Sequence, residues 1–185
     1  MNDSLLLLKN FIRNPKETGS VIPSSRFLTK EIVKGINFKT ARNIVELGPG
    51  TGTFTKVIME KSSQDSRIFC FEVNKKFCSH LEKNTADKRL TVINAPAEKL
   101  SSNLKRLKIS KVDCVVSGLP FRNFPDGKKS SILTQVKNSL NDKGRFVLFQ
   151  YTNGLSGMLE SHFSKVKRNF VPINIPPAFV YTCEK

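Results

Sequence analysis

The chain has 185 residues, and its 31 Lys and Arg against 15 Asp and Glu leave a net charge of +16. An apolar share of 38% excludes a disordered polyelectrolyte, and the length suffices for one ordinary domain with its own core. So basic a surface favours polyanions, either nucleic acid or a membrane with acidic lipids, and charge alone does not separate the two.

The first predicted element is a helix over residues 4–13, SLLLLKNFIR, capped by Asp3 or Ser4 and closed by Pro15. Its run of four leucines is too short to cross a bilayer and lacks the features of a signal peptide. It reads either as an amphipathic helix at the headgroup boundary, with Lys9 and Arg13 meeting acidic lipids, or as a helix packed on the body of the protein. A loop with two prolines and a glycine follows, then a helix over 25–36. From Asn43 the pattern alternates: strands at 43–48, 67–73, 89–93, 112–118 and 144–151, with helices near 53–62, 75–84, 97–106 and 128–140. Two more strand candidates lie at 165–171 and 177–183. This predicts an α/β fold with one mainly parallel, seven-stranded, doubly wound sheet. Residues 1–40 form a helical extension and 41–185 the core of a single domain.

Cys70, Cys78, Cys114 and Cys183 form no CxxC pair, and with only two histidines a zinc site is not expected. Cys70 and Cys114 lie in apolar runs and read as buried thiols of a protein in a reducing compartment.

The strongest motif is VELGPGTGTFT at 45–55. Gly48, Gly50 and Gly52 let the backbone approach a ligand where the first strand ends. The spacing departs from the dinucleotide fingerprint GxGxxG, and there is no GK[ST] for a phosphate loop. Glu46 precedes the glycines inside the strand. Glu72 follows Gly52 by 20 residues, at the end of the second strand, where a carboxylate can accept both hydroxyls of a ribose. Acidic groups suit a cationic ligand better than a pyrophosphate, and S-adenosylmethionine carries a ribose, an ammonium and a sulfonium.

In VELGPGTGTFT, FEV at 71–73 and SGLPF at 117–121 the chain resembles the class I S-adenosylmethionine-dependent methyltransferases. It is most similar to the branch holding the rRNA adenine dimethylases and the bacterial phospholipid N-methyltransferases. NPKETGSVIPSSRFL near the start, SGLPFRNFP and NIPPAFVY resemble the phospholipid enzymes in particular. The resemblance implies a Rossmann-like fold with Glu46, Gly48, Gly50 and Gly52 in the cofactor loop and Glu72 on the ribose. Relatives often read GDA after the third strand, with the Asp on the adenine amine. Here NAPAE puts Pro96 at that position, which leaves the adenine to the backbone around Ala95 to Ala97.

The substrate loop is expected at Gly118, Leu119, Pro120 and Phe121. Similar adenine methyltransferases read NLPY or NPPY there, with an Asn side chain holding the amine and a ring stacked on the base. Gly118 removes that side chain but keeps main-chain carbonyls, an arrangement suited to a small amine. Phe121 and Phe124 either offer ring faces to a headgroup that gains positive charge or pack in the core. Arg122 either pairs with a lipid phosphate or is solvated. Tyr151 and Tyr181 are candidates for the pocket wall or for core packing.

The expected activity is S-adenosylmethionine-dependent N-methylation of phosphatidylethanolamine-type headgroups by a protein peripheral to the cytoplasmic face of the membrane. Its partners are then an acidic phospholipid surface and a lipid headgroup. The alternative is rRNA adenine N6-methylation, with nucleic acid as partner. A non-catalytic lipid- or RNA-binding module is a third reading, disfavoured by Glu46, Gly48, Gly50 and Glu72. The dimethylases carry a C-terminal helical RNA domain, whereas this sequence closes at its presumed last strand.

Overall fold

The computed structural model describes residues 26–185. The helix expected over 4–13 and most of the loop after it lie outside the described residues. The first helix described, α1 (Arg26–Lys34), turns Leu28, Ile32 and Val33 inward and leads through Gly35 into β1 (Asn43–Leu47). Then come α2 (Thr53–Lys61), β2 (Arg67–Phe71), α3 (Lys75–Asn84) and β3 (Leu90–Ile93). A 3₁₀ turn (Ala97–Lys99) precedes α4 (Leu100–Arg106), and β4 (Val112–Ser117) ends in a second 3₁₀ turn (Phe121–Asn123). The chain closes with α5 (Asp126–Ser139), β5 (Leu140–Gln150), α6 (Ser156–His162), β6 (Lys165–Val171) and β7 (Ala178–Glu184).

The seven strands form one sheet in the order β3-β2-β1-β4-β5-β7-β6. β1 to β5 are mutually parallel, while β7 runs antiparallel between β5 and β6. The order reverses beside β1, so the connections that follow β1 and β4 leave toward opposite faces of the sheet and open the crevice where α/β sheets bind ligands. Alternation along each central strand builds two cores. Val45, Leu47, Phe69 and Val115 face α4, α5 and α6, whereas Ile44, Ile68, Cys114 and Val116 face α1 and α2. All four cysteines are buried free thiols.

Three details differ from the sequence expectation. The helix expected near 97–106 begins as a separate 3₁₀ turn. β5 starts four residues early, because Leu140 pairs with Val112 before an irregularity lets Arg145 pair with Cys114. The short helix α6 is additional. Its inward residue Leu159 and the flanking Leu155 and Phe163 offer too few turns for a helical period to stand out.

Candidate active site

The glycine loop leaves β1 with three left-handed residues, Gly48 (φ 69°), Gly50 (φ 57°) and Gly52 (φ 87°). Such angles cost an L side chain about 1–2 kcal/mol each. Gly50 sits at the open crest, where an added Cβ would meet nothing within 4 Å. A bulky side chain there would therefore project into the space a ligand needs.

Two carboxylates flank this loop. Glu46 is fully buried. Its Oε2 accepts a hydrogen bond from Thr55 Oγ1 at 2.6 Å and one from Cys70 Sγ at 3.6 Å. Its Oε1 is buried with no partner among the described residues. Burial pushes the Glu46 pKa up to about 7, with the Thr55 and Cys70 hydrogen bonds opposing and the Glu72 charge adding to the rise. Glu72 is 7% exposed. It accepts the Asn74 N–H on Oε1 at 2.8 Å and the Gly50 N–H on Oε2 at 3.2 Å. Burial raises its pKa too, partly offset by the N–H groups of Asn74, Gly50 and Val73. An orphaned buried carboxylate oxygen and an open glycine crest fit a cationic, ribose-bearing cofactor.

Asn94 has a role that sequence reasoning missed. Its Nδ2 donates to the carbonyls of Glu72 (2.8 Å) and Val73 (3.0 Å), stitching the end of β3 to the end of β2 and fixing the backbone that carries Glu72. The only sequence signal was its place at the head of NAPAE. Ala95, half-buried beside it, turns back so that its N–H donates to the Ile93 carbonyl at 2.9 Å.

The substrate-side loop is locked to the glycine loop. The Gly118 N–H donates to the Leu47 carbonyl at 2.9 Å, and a Cβ on Gly118 would lie 2.8 Å from the Gly48 carbonyl oxygen. A Cβ on Gly48 would in turn strike Leu119 Cδ2 at 2.9 Å. Glycine at 118 is thus demanded by close approach of two main chains. The Leu119 carbonyl accepts the Phe121 N–H at 3.0 Å and Gln150 Nε2 at 3.0 Å, so both its lone pairs are engaged. The Pro120 carbonyl accepts the Asn123 N–H at 2.9 Å. The Gly118 carbonyl accepts no hydrogen bond among the described residues. Gln150, 6% exposed, was also missed by sequence reasoning.

The aromatic expectations need correction. Phe121 is fully buried in the core under α5, because the 3₁₀ turn points its ring inward. Phe124 is half-buried, with its ring 6.1 Å from that of Phe121. The ammonium of Lys128 lies 4.7 Å from the Phe124 ring centre, so the chain's own cation takes that position. Tyr181 is fully buried, its hydroxyl 3.1 Å from Ser156 Oγ. Tyr151 is half-buried with its ring edge-on to Phe149, and Arg122 is exposed beside the loop.

Residues 13–151 match the family model described as ribosomal RNA adenine dimethylase. An ornithine lipid N-methyltransferase of Singulisphaera acidiphila is 32% identical over 185 residues, 99% of this chain and 96% of that protein. The chain belongs to the ribosomal RNA adenine dimethylase family. It is a class I S-adenosylmethionine-dependent N-methyltransferase, and S-adenosylmethionine is its cofactor. A ribosomal RNA small subunit methyltransferase A of Mesomycoplasma hyopneumoniae is 28% identical over 84% of this chain, which spans 60% of that protein. Among solved structures, an S-adenosylmethionine-dependent methyltransferase from Archaeoglobus fulgidus matches with a TM-score of 0.67 at 16% identity. That match covers 95% of this chain and 99% of the other. The 1,6-didemethyltoxoflavin-N1-methyltransferase of Burkholderia thailandensis, solved with S-adenosylhomocysteine, matches at 0.72 and 15% identity over 98% and 88%.

Proposed function

We propose that this methyltransferase acts on the primary amine of a membrane lipid headgroup, of the phosphatidylethanolamine or ornithine lipid type. The observation that carries the reading is the packing of Gly118 against the Gly48 carbonyl, which leaves no room for a side chain that would hold a nucleobase. The lipid N-methyltransferase relative, similar over nearly its whole length, supports the same choice.

The bound cofactor supplies an electrophilic methyl group. The chain's contribution on the other side is to hold an amine with its lone pair free. A neutral carbonyl such as that of Gly118 can accept one N–H while favouring the ammonium form far less than a carboxylate would. A carboxylate in its place would favour the charged amine, whose lone pair is tied up by a proton. The Leu119 carbonyl does not compete, because Gln150 and the Phe121 N–H already occupy it. Buried Phe121 and half-buried Leu119 form an apolar floor that limits water at the loop.

The test offers labelled S-adenosylmethionine with three substrates in parallel: phosphatidylethanolamine vesicles, ornithine lipid vesicles and unmethylated small-subunit rRNA. Label in either lipid and none in RNA is the expected result. Label in RNA alone would overturn the reading in favour of adenine methylation, which the family and the net charge of +16 would then explain.

A further inference from the structure

Five large apolar side chains are more than half exposed among the described residues: Phe27, Val73, Phe170, Ile173 and Ile175. Ile173 and Ile175 stand on the tip between β6 and β7, 62% and 80% exposed. Between them Asn174 is turned inward, 3% exposed, with its Nδ2 donating to the Pro176 carbonyl at 2.6 Å. The tip thus inverts the ordinary pattern. Its polar residue is buried and hydrogen-bonded while both isoleucines face outward.

The tip lies at the active-site end of the sheet. β7 runs antiparallel to β5, so Phe179 pairs with Gln150, the residue that braces the Leu119 carbonyl. Residues 172–177 therefore extend past the strand ends on the same side as the substrate loop. α1 climbs toward the same end. Gly35 lies against Val147 and Thr182, Glu31 accepts a hydrogen bond from Asn169 at 2.6 Å, and Phe27 is one turn further on. Exposed cations lie on the two elements that lead to the tip: Arg26 and Lys30 on α1, and Lys167 and Arg168 on β6. The Arg168 guanidinium lies 5.3 Å from the Phe179 ring centre. Glu31 is the one nearby acid on α1, and Lys34 and Asn169 engage it.

We infer that this corner is a membrane-docking surface, on which Ile173 and Ile175 insert into the headgroup boundary of an anionic bilayer while the lysines and arginines of α1 and β6 meet its phosphates. The inference rests on the lipid-amine reading, since it explains how the substrate loop reaches a headgroup without drawing the lipid into water. Protruding isoleucines with exposed cations on the adjoining α1 and β6 match an anionic interface in both apolar and charge character.

The test uses the full chain and vesicles of phosphatidylcholine with phosphatidylglycerol, which hold no primary amine. Co-sedimentation is compared for wild type, Ile175→Ser, and Ile173→Ser with Ile175→Ser. Vesicle affinity should fall about tenfold or more in the double variant and less in the single one, with melting temperature and cofactor affinity unchanged. Raised salt should weaken wild-type binding. Unchanged vesicle affinity overturns the proposal. So does a melting temperature that drops while vesicle affinity holds, the mark of a tip covered by the chain's own segments. Loss of self-association at constant vesicle affinity would likewise overturn it, by assigning the corner to a second copy. Because these vesicles offer no substrate, failure of lipid methylation leaves the docking result standing, and failure of docking leaves the methylation assay intact.

Discussion

On the β1–β3 side of the crevice the groups proposed to serve the cofactor are the carboxylates of fully buried Glu46 and nearly buried Glu72. On the β4–β5 side the proposed group is the main-chain carbonyl of Gly118, beside a Leu119 carbonyl already taken by the Gln150 amide and the Phe121 N–H. The two sides solve opposite problems. A cofactor bearing positive charge gains from ionised partners, even where burial makes them costly. An amine that must present its lone pair gains from neutral ones. On the proposed reading, side chains carry recognition on one side and backbone carries it on the other.

Phe121→Ala should give the largest effect and test whether the substrate side uses its aromatic rings at all. The ring is fully buried, so its removal should cost about 3–5 kcal/mol of stability, read by denaturant unfolding. If stability stayed near wild type while turnover fell, the ring would belong to the site and the contrast between the two sides would break.

The next effect belongs to Glu46 and is tied to pH. Its pKa of about 7 stands above the ordinary 4.5, so the folded state holds a proton that the unfolded state releases. Its contribution to stability is therefore undiminished below about pH 4.5, declines as pH rises toward 7, and is then lower by on the order of 3 kcal/mol. Cofactor affinity should run the other way, because a cationic ligand needs the ionised carboxylate. It should rise by up to about tenfold per pH unit below 7 and level off above. Burial raises Glu72 in the same direction, so a titration on Glu46→Gln separates the two. Calorimetric affinities that stay flat with pH in the wild type would remove Glu46 from the cationic side.

This contrast also explains what was legible from sequence. Glu46, Gly50 and Glu72 stood out as candidates because their residue types lie at set distances from strand ends, and the structure places all three at one loop. The parallel core followed from the same alternation. Phe121, Phe124 and Tyr181 were harder, since residue type does not say which way a ring points. A 3₁₀ turn buries Phe121, Lys128 meets the Phe124 ring, and Tyr181 is satisfied by Ser156 from a helix too short to foresee. Gly118 was recognised as the missing side chain, but its cause, a carbonyl from another loop 2.8 Å from its would-be Cβ, exists only in three dimensions. The corner at Ile173 and Ile175 depends on β7 entering between β5 and β6, a pairing that no local pattern announces.

The smallest effect should come from Gln150, and it sharpens the comparison most. Its amide donates to the Leu119 carbonyl across 31 residues of chain and also to its own neighbour's carbonyl at Phe149. Gln150→Leu keeps most of the volume and removes both donations. Leu119 retains the Phe121 N–H, so the fold should lose only about 0.5–1.5 kcal/mol. The released carbonyl can then compete with that of Gly118 for the amine and misdirect its lone pair. Turnover should fall by up to about tenfold with little change in cofactor affinity, because nothing on the carboxylate side has moved. Gln150→Glu should do worse, since an acceptor would then face an acceptor and bring a negative charge to the neutral side. Steady-state rates on vesicles, paired with calorimetry for the cofactor, would read both variants. Equal losses in turnover and cofactor affinity would mean that the two sides work as one unit, and the division between carboxylate and backbone recognition would fail.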